Sequence, residues 1–380
     1  MKLSKTMSAL ALAFVGCSSD PSPTPPTGPI PAAKNGFQIT VSGEDLAVNG
    51  YEWAPGAKAN DDPPAFVDGW AVKFEHIIVT IGEVRLNADP DKDPASPETQ
   101  GEPVATATGP WAVDLTIGGN IVGKSGSPDE KTVAITTIDT RSDGTAFDPA
   151  QRYAFNYTTV GASPAAKAVN LDAAGQALYE TAKTKGWATI YAGTATYKGP
   201  APAAGSVFEK IPTVVKFTLG LKNPTTYVNC QNTDLQATGG DEFPRGLQAS
   251  KDKATTAQIT IHTDHSFWSK LNVEGTELHF DPIAARASTY GTVGAGPGTV
   301  TLDDLVDVDV TGFKTKNDEP LPARSLVPDY TAAAGQLAFD ANGTTFAKAN
   351  SYAAYIAYSA TAGGHLNADG LCKVKLGYVP

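Results

Sequence analysis

The sequence predicts a mainly β protein, built of antiparallel, sandwich-like sheets with a few short helices. Apolar residues recur in short runs, several of them alternating with polar ones. Turn residues bound these runs, drawn from 37 glycines and 28 prolines, and the aromatics are spread along the chain rather than clustered. A strand shows successive side chains to opposite faces, so a period of two marks a segment with one face in a core.

Taken in order, FQITV at residues 37–41 is the first such run, and WAVKFEHIIVTIGEVRL at 70–86 is the longest, with a bend expected near Gly82. A loop rich in Asp, Pro and Glu follows, and then WAVDL at 111–115, TVAITTI at 132–138 and RYAFNYTTV at 152–160, all β-branched or aromatic. The stretch 171–185 changes period. Leu171, Ala174, Leu178 and Ala182 share one helical face, Asn170 suits the N-cap and Gly186 the stop, which inserts a helix among the strands.

WATIYAGTATY and TVVKFTLGL return to strands, and Ile259 to His262 continues the series. Asp281 and Pro282 have the form of an N-cap and first helical position of a short helix. Residues 301–313, TLDDLVDVDVTGF, fit helix and strand alike, as does SYAAYIAYSAT at 351–361. In the latter, Tyr352, Tyr355 and Tyr358 make a stripe expected to face the core. KGPAPAAG at 198–205 suggests a division of the folded part into 36–200 and 201–380, although both halves could share sheets.

The chain opens MKLSKTMSALALAFVGCSSD, with Lys2 and Lys5 ahead of an apolar run that is too short to span a bilayer, as in an export signal. Its end, Phe14-Val15-Gly16-Cys17, resembles the lipobox of bacterial lipoproteins. The resemblance covers about the first twenty residues. It implies removal of residues 1–16, attachment of diacylglycerol to the Cys17 thiol and, with Ser18 next, sorting to the outer membrane of the cell envelope. Residues 17–35 are proline-dense and nearly free of large apolar side chains, so they form an extended tether.

Loss of the leader changes the available chemistry. Met1 and Met7 leave with it, and so do two lysines, which makes the formal charge of −11 two units more negative. Of three cysteines, Cys230 and Cys372 then remain, and in an oxidising compartment an even remainder reads as one disulfide. The acidic balance argues against nucleic acid as partner. A membrane, reached through the lipid anchor, and an envelope protein are the partners that this setting suggests.

No phosphate-binding glycine loop, nucleophile elbow, haem-attachment motif or His-Glu-x-x-His helix occurs, so the sequence gives no usual ground for an enzyme. Asp89, Asp91 and Asp93 stand two apart but lack the glycine and glutamate of a calcium loop, and they read as a solvated surface, as do Asp303, Asp304, Asp307 and Asp309.

The five histidines are more informative. ITIHTDHSFW at 259–268 places His262, Asp264 and His265 together; His76 lies within the longest strand; His279 precedes the short helix; His365 stands seven residues before Cys372. As metal ligands, His262, His265, His279, His76 and Asp264, with His365 as an additional candidate, offer imidazole and carboxylate only. That donor set suits zinc or copper(II) and excludes thioether-rich copper(I) sites.

Strand parity sets a condition. His262 and His265 are three apart and would face opposite sides of a straight strand, so they can share an ion only if the chain turns between them. Ser266 can cap such a turn. The sequence therefore supports a lipid-anchored metal-binding protein. Beside it stand a structural or adhesive surface protein with incidental histidines, and a hydrolase using separated carboxylates or a triad that the sequence does not mark, in which Ser266 or Ser269 could be cast as nucleophile.

Overall fold

The alternating runs become strands that depend on one another for their edges. The computed structural model describes residues 32–56, 64–201, 211–236, 243–268, 277–290, 299–306 and 351–378, with a few short pieces between them. The leader, Cys17, most of the tether, Ser269, Asp307 and Asp309 lie outside the described residues.

In chain order the first elements are β1 (Phe37–Ser42), α1 (Glu44–Asn49), β2 (Trp70–Asn87), β3 (Pro103–Asp114), β4 (Ile121–Val122), β5 (Lys131–Ile138), β6 (Arg152–Thr159) and β7 (Lys167–Val169). There follow α2 (Ala173–Lys185), β8 (Thr189–Tyr197), β9 (Val214–Leu221), β10 (Thr225–Val228), β11 (Leu247–Gln248), β12 (Thr255–Ile261), α3 (Asp281–Tyr290) and β13 (Thr299–Thr301). The chain ends in a short ribbon of β14 (Asp340–Ala341) and β15 (Thr344–Thr345), then α4 (Tyr352–Ser359), β16 (Gly364–Leu366), β17 (Gly370–Leu371) and β18 (Lys373–Leu376).

Two large sheets result. The six-stranded sheet runs β17-β16-β12-β1-β5-β4, and the ten-stranded one runs β13-β9-β8-β2-β6-β10-β18, with β3, β7 and β11 added beside β2 and β6. Most neighbours are antiparallel, but β1 with β12, β3 with β7 and β9 with β13 are parallel, so the sheets are mixed. Strands on either side of residue 200 pair with each other: β8 and β9 run together over Thr189–Thr196, and β1 pairs with β12.

β2 spans 18 residues because both its edges find partners. β8 and then β6 follow one another along one edge, while β3 lies along the other from Ile78. The expected bend falls where the register slips between Ile81 and Glu83. Gly82 is needed there, since a Cβ would stand 2.5 Å from Thr158 Oγ1 and 2.6 Å from Val160 Cγ1.

One apolar core joins the two sheets. Ile39, Val41, Ile259 and Ile261 of the smaller sheet share it with Phe74, Tyr191 and Phe217 of the larger. At its centre, Phe66, Phe267 and Phe280 pack ring to ring at centroid distances of 5.3 to 6.4 Å. Aromatic pairs at such distances add about 0.5–1.5 kcal/mol each beyond area burial.

The helices correct three details. α2 is capped by Asp172, whose carboxylate accepts from Gly175 N at 2.8 Å, not by Asn170, which holds a positive φ of 59° just before it. Its buried face is Gly175, Tyr179 and Ala182, with Leu171 buried just ahead of it and Leu178 packed alongside, so that of the expected face only Ala174 is exposed, while Gly186 closes it in the left-handed conformation as expected. At α3 the cap comes from Asp68, which accepts from Phe280 N and Asp281 N at 2.7 and 2.8 Å. The Asp281 carboxylate is taken instead by the Trp70 indole N–H at 2.8 Å.

The open segments resolve by packing. Residues 302–305 form a 3-10 turn, closed by Asp304 accepting from Thr301 N and Oγ1 at 2.8 Å. Tyr352, Tyr355 and Tyr358 lie on a helix with their rings in the core, and Tyr355 donates to the Trp268 carbonyl at 2.7 Å. In the acidic loop, Asp91 pairs with Arg152 and Asp93 accepts from Ala95 N at 3.1 Å. Asn229 donates to the carbonyls of Pro90 and Pro97 at 2.7 Å each, so backbone and cation contacts account for that loop.

Cys230 and Cys372 form the disulfide, across 142 residues of sequence. A bridge closing so long a loop contributes at most about 5 kcal/mol through the unfolded chain, and more typically 2–4. Replacing both cysteines by alanine should therefore lower the urea denaturation midpoint, as should reduction of the wild type. An unchanged midpoint would show that the bridge does not constrain the unfolded chain.

Candidate metal centre

β12 sorts its side chains by parity. Ala257, Ile259 and Ile261 face the apolar core, and Gln258 and Thr260 face the other way, with His262 next in that series. The strand ends at Ile261, and the chain turns at once into a 3-10 turn over Asp264–Phe267. The condition set by parity is met: the His262 and His265 rings come to 5.4 Å between centroids.

The residues behind the histidines fix that turn. Phe267 enters the aromatic core, Ser359 donates to the His265 carbonyl at 2.6 Å, and Trp268 lies against the His265 ring at 3.6 Å between centroids. The Trp268 indole N–H then donates to Asp264 at 2.9 Å, which orients the carboxylate beside the ring it follows.

The remaining groups arrive from strands that flank β12. β16 pairs with it so that His365 stands opposite Thr260, bringing the His365 ring to 4.4 Å from His262 and 6.0 Å from His265. The turn after β16 carries Asp369, whose Oδ1 is 3.9 Å from His262 Nε2. β1 lies on the other side, and Glu44, just past its end, places Oε2 at 3.5 Å from His262 Nδ1.

Four ring nitrogens here are buried and have no hydrogen-bond partner: His262 Nε2, both nitrogens of His265 and His365 Nδ1. His365 Nε2 bonds the Ala362 carbonyl at 3.1 Å, so that nitrogen carries the proton and Nδ1 presents a lone pair. Leaving a buried polar atom unsatisfied costs about 1–3 kcal/mol. Such a concentration in one place calls for an explanation, and an ion held by these side chains is one that the donor set allows.

Electrostatics divide the group: the His265 and His365 rings are held neutral, while His262, Glu44 and Asp264 hold their protons more tightly. Burial, reinforced by His262, holds the His365 imidazole down to about 3, and burial with the two neighbouring rings holds His265 well below the ordinary range. For His262, burial acts in the same direction but the carboxylates of Glu44, Asp264 and Asp369 together outweigh it and raise the ring. Burial lifts Glu44 to about 7 and raises Asp264. Neutral imidazoles surrounded by carboxylates are the form in which these side chains bind metal ions.

Two ligand groups can be drawn, His262 with His365 and Asp369, and His262 with Asp264 and His265, each with donor atoms within 4.8 Å of one another. Donors around a tetrahedral ion with bonds near 2 Å lie about 3.3 Å apart, so small side-chain rotations complete either group.

Two candidate ligands lie elsewhere. His76 is within β2, where its Nδ1 meets Asp114 at 2.6 Å and its Nε2 is 3.8 Å from Asp172, so it ties β2 to β3 and to the start of α2. Its partner is a carboxylate rather than the backbone carbonyl expected of a core histidine. His279 reaches the neighbourhood only through its backbone, whose N–H donates to the Phe267 carbonyl at 3.0 Å. Its ring stands by Glu277 at 3.2 Å and Asp68 at 3.7 Å. Neither belongs to a ligand group among the described residues. Ser266 is wholly buried.

Two groups escaped sequence reasoning. His365-x-x-x-Asp369 carries a local spacing that could have signalled the second, whereas nothing near Glu44 in SGEDL marks it as facing a histidine more than two hundred residues away. No family model, curated protein or solved structure matches the chain. Fold and donor set together define a β-rich, disulfide-bonded protein with a buried imidazole and carboxylate group able to hold a metal ion.

Asp68 gives a pH test independent of that centre. Burial, then the charge of Asp281, pushes its carboxyl from 3.8 up to about 7. A raised folded value means that the stability tied to its proton is complete below pH 3.8 and is lost as pH rises through about 7. Asp68→Asn keeps an oxygen acceptor for the start of α3 and removes the charge. Melting temperature should fall less between pH 4 and pH 8 in the variant than in the wild type, and equal slopes would contradict the assignment.

Proposed function

We propose that this is a lipid-anchored cell-envelope protein that binds a divalent transition metal, zinc or copper(II), through His262, His265 and His365 with Asp264, Asp369 and Glu44. One observation carries the reading: four buried ring nitrogens on three histidines lack partners and share one space with carboxylates. A surface module with incidental histidines would have no reason to gather them from separate strands and leave them unsatisfied.

The donors select the ion class. Nitrogen and oxygen ligands with no thiolate or thioether fit zinc and copper(II). Cys230 and Cys372 are bound to each other, and both methionines fall in the leader. The site is held by strand ends and by short turns packed on an aromatic core, which suits capture and retention of an ion more than rapid exchange. Lys2, Lys5, the apolar run and Gly16-Cys17 support the anchor at the other end of the chain.

Metal-free protein lacking residues 1–16 should take up zinc or copper(II) on titration and retain it through desalting. It should melt higher when loaded, since ligand at 100 times its Kd adds about 2.7 kcal/mol. His265→Ala should weaken binding beyond the roughly 10–100-fold typical of losing an outer partner of a metal site. His76→Gln should lower stability with metal affinity unchanged. No uptake, or equal affinity in the His265 variant, would overturn the reading. In the full chain, Cys17→Ala should move the protein from the membrane to the soluble fraction.

A further inference from the structure

The two ligand groups share His262. On one side, Nε2 lies 3.9 Å from Asp369, which groups with His365. On the other, Nδ1 lies 3.5 Å from Glu44, itself in electrostatic contact with Asp264 of the second group. The His365 and His265 rings are each nearer to His262 than to one another, at 4.4, 5.4 and 6.0 Å.

The geometry points to a centre for two divalent ions, one held by His262 Nε2, His365 and Asp369, the other by His262 Nδ1, His265 and Asp264 with Glu44 beside it. This rests on the metal-binding reading above and goes beyond it in number and arrangement. Each ring nitrogen has one lone pair, so His262 serves both ions only as an imidazolate. Two metal–nitrogen bonds form on that ring, one N–H bond breaks, and its proton passes to solvent.

With one dication bound at His262, His365 and Asp369, His265 would keep its orphan nitrogens. Two dications against Glu44, Asp264, Asp369 and the His262 imidazolate sum to zero, with Glu44 and Asp264 largely buried and Asp369 on the exposed side of the group. The ions differ in surroundings: the His365 nitrogen is fixed by the Ala362 hydrogen bond, whereas His265 is held by its stack on Trp268.

The test is stoichiometry on metal-free protein lacking residues 1–16, using copper(II) sulfate and zinc sulfate. Calorimetric titration and metal analysis after desalting should both give two ions per chain. Filling both positions should release a proton beyond what the first ion displaces, read with a pH indicator in weak buffer. The two-copper form should show an exchange-coupled paramagnetic resonance signal, with fewer spins than copper ions.

His265→Ala and Asp369→Asn should each retain one ion, from opposite positions, and His262→Ala should weaken both by at least tenfold. One ion in the wild type, with affinity lost in His265→Ala, would overturn the two-ion centre and leave metal binding standing. No ion would overturn both. If His262→Ala does not fold, the other two variants decide: one ion each supports the centre, while two ions retained in either overturns it.

Discussion

The parallel pairing of β1 with β12 is the constraint from which the rest of the centre follows. Because the two strands run the same way, Ser42 and Ile261 end at one edge of the six-stranded sheet, and the residues just beyond them, Glu44 and His262, meet there. β16 runs antiparallel to β12, so it begins at that edge and contributes His365 there. An antiparallel β1 would have carried Glu44 to the far end of the sheet. The centre is thus assembled by strand direction, with the 3-10 turn after β12 adding His265.

A buried polar ladder on the same face supports this arrangement. Gln258 donates to Glu130 and Thr260 at 2.8 Å each, its own N–H goes to Asn367, and Asn367 donates to Asn232 at 2.6 Å. Glu130 ties β12 to the start of β5, while the Asn367 links tie β12 to the turn between His365 and Asp369 and that turn to Asn232. The Cys230–Cys372 bridge and the hydrogen bond from Gln231 N to the Leu371 carbonyl, at 2.9 Å, hold that hairpin from its other side. The satisfied ladder contrasts with the unsatisfied rings beside it, and that contrast sets the histidine group apart from a purely structural polar network. A hairpin pinned on both sides keeps His365 and Asp369 in place without a ligand, which lowers the ordering cost of binding one.

Burial acts on the titratable groups in opposite ways at two places. Around His262 it disfavours the protonated form of the rings and the ionised form of the carboxyls, so the His265 and His365 rings are held neutral while Glu44 and Asp264 hold their protons more tightly. At Asp68 it favours a neutral carboxyl that caps α3. Desolvation is common to both, and the neighbours decide the outcome: other rings and acids gathered in one space, or the N–H groups of a helix start.

The sequence by itself determined most of the longer strands, the α2 helix, the disulfide partners and the short list of residues able to bind a metal, because period, capping chemistry and donor type are local properties. It posed the right condition at ITIHTDHSFW, a turn between two histidines, without being able to decide it. Only the tertiary structure decided that His365 joins them, that His76 and His279 stay with Asp114 and Glu277, and that Glu44 and Asp369 complete the ring. It also gave the cap of α3 to Asp68 and freed Asp281 for Trp70. These choices depend on which strands lie side by side and in which direction, and pairing partners far apart in the chain leave no trace in the spacing of residues within either one.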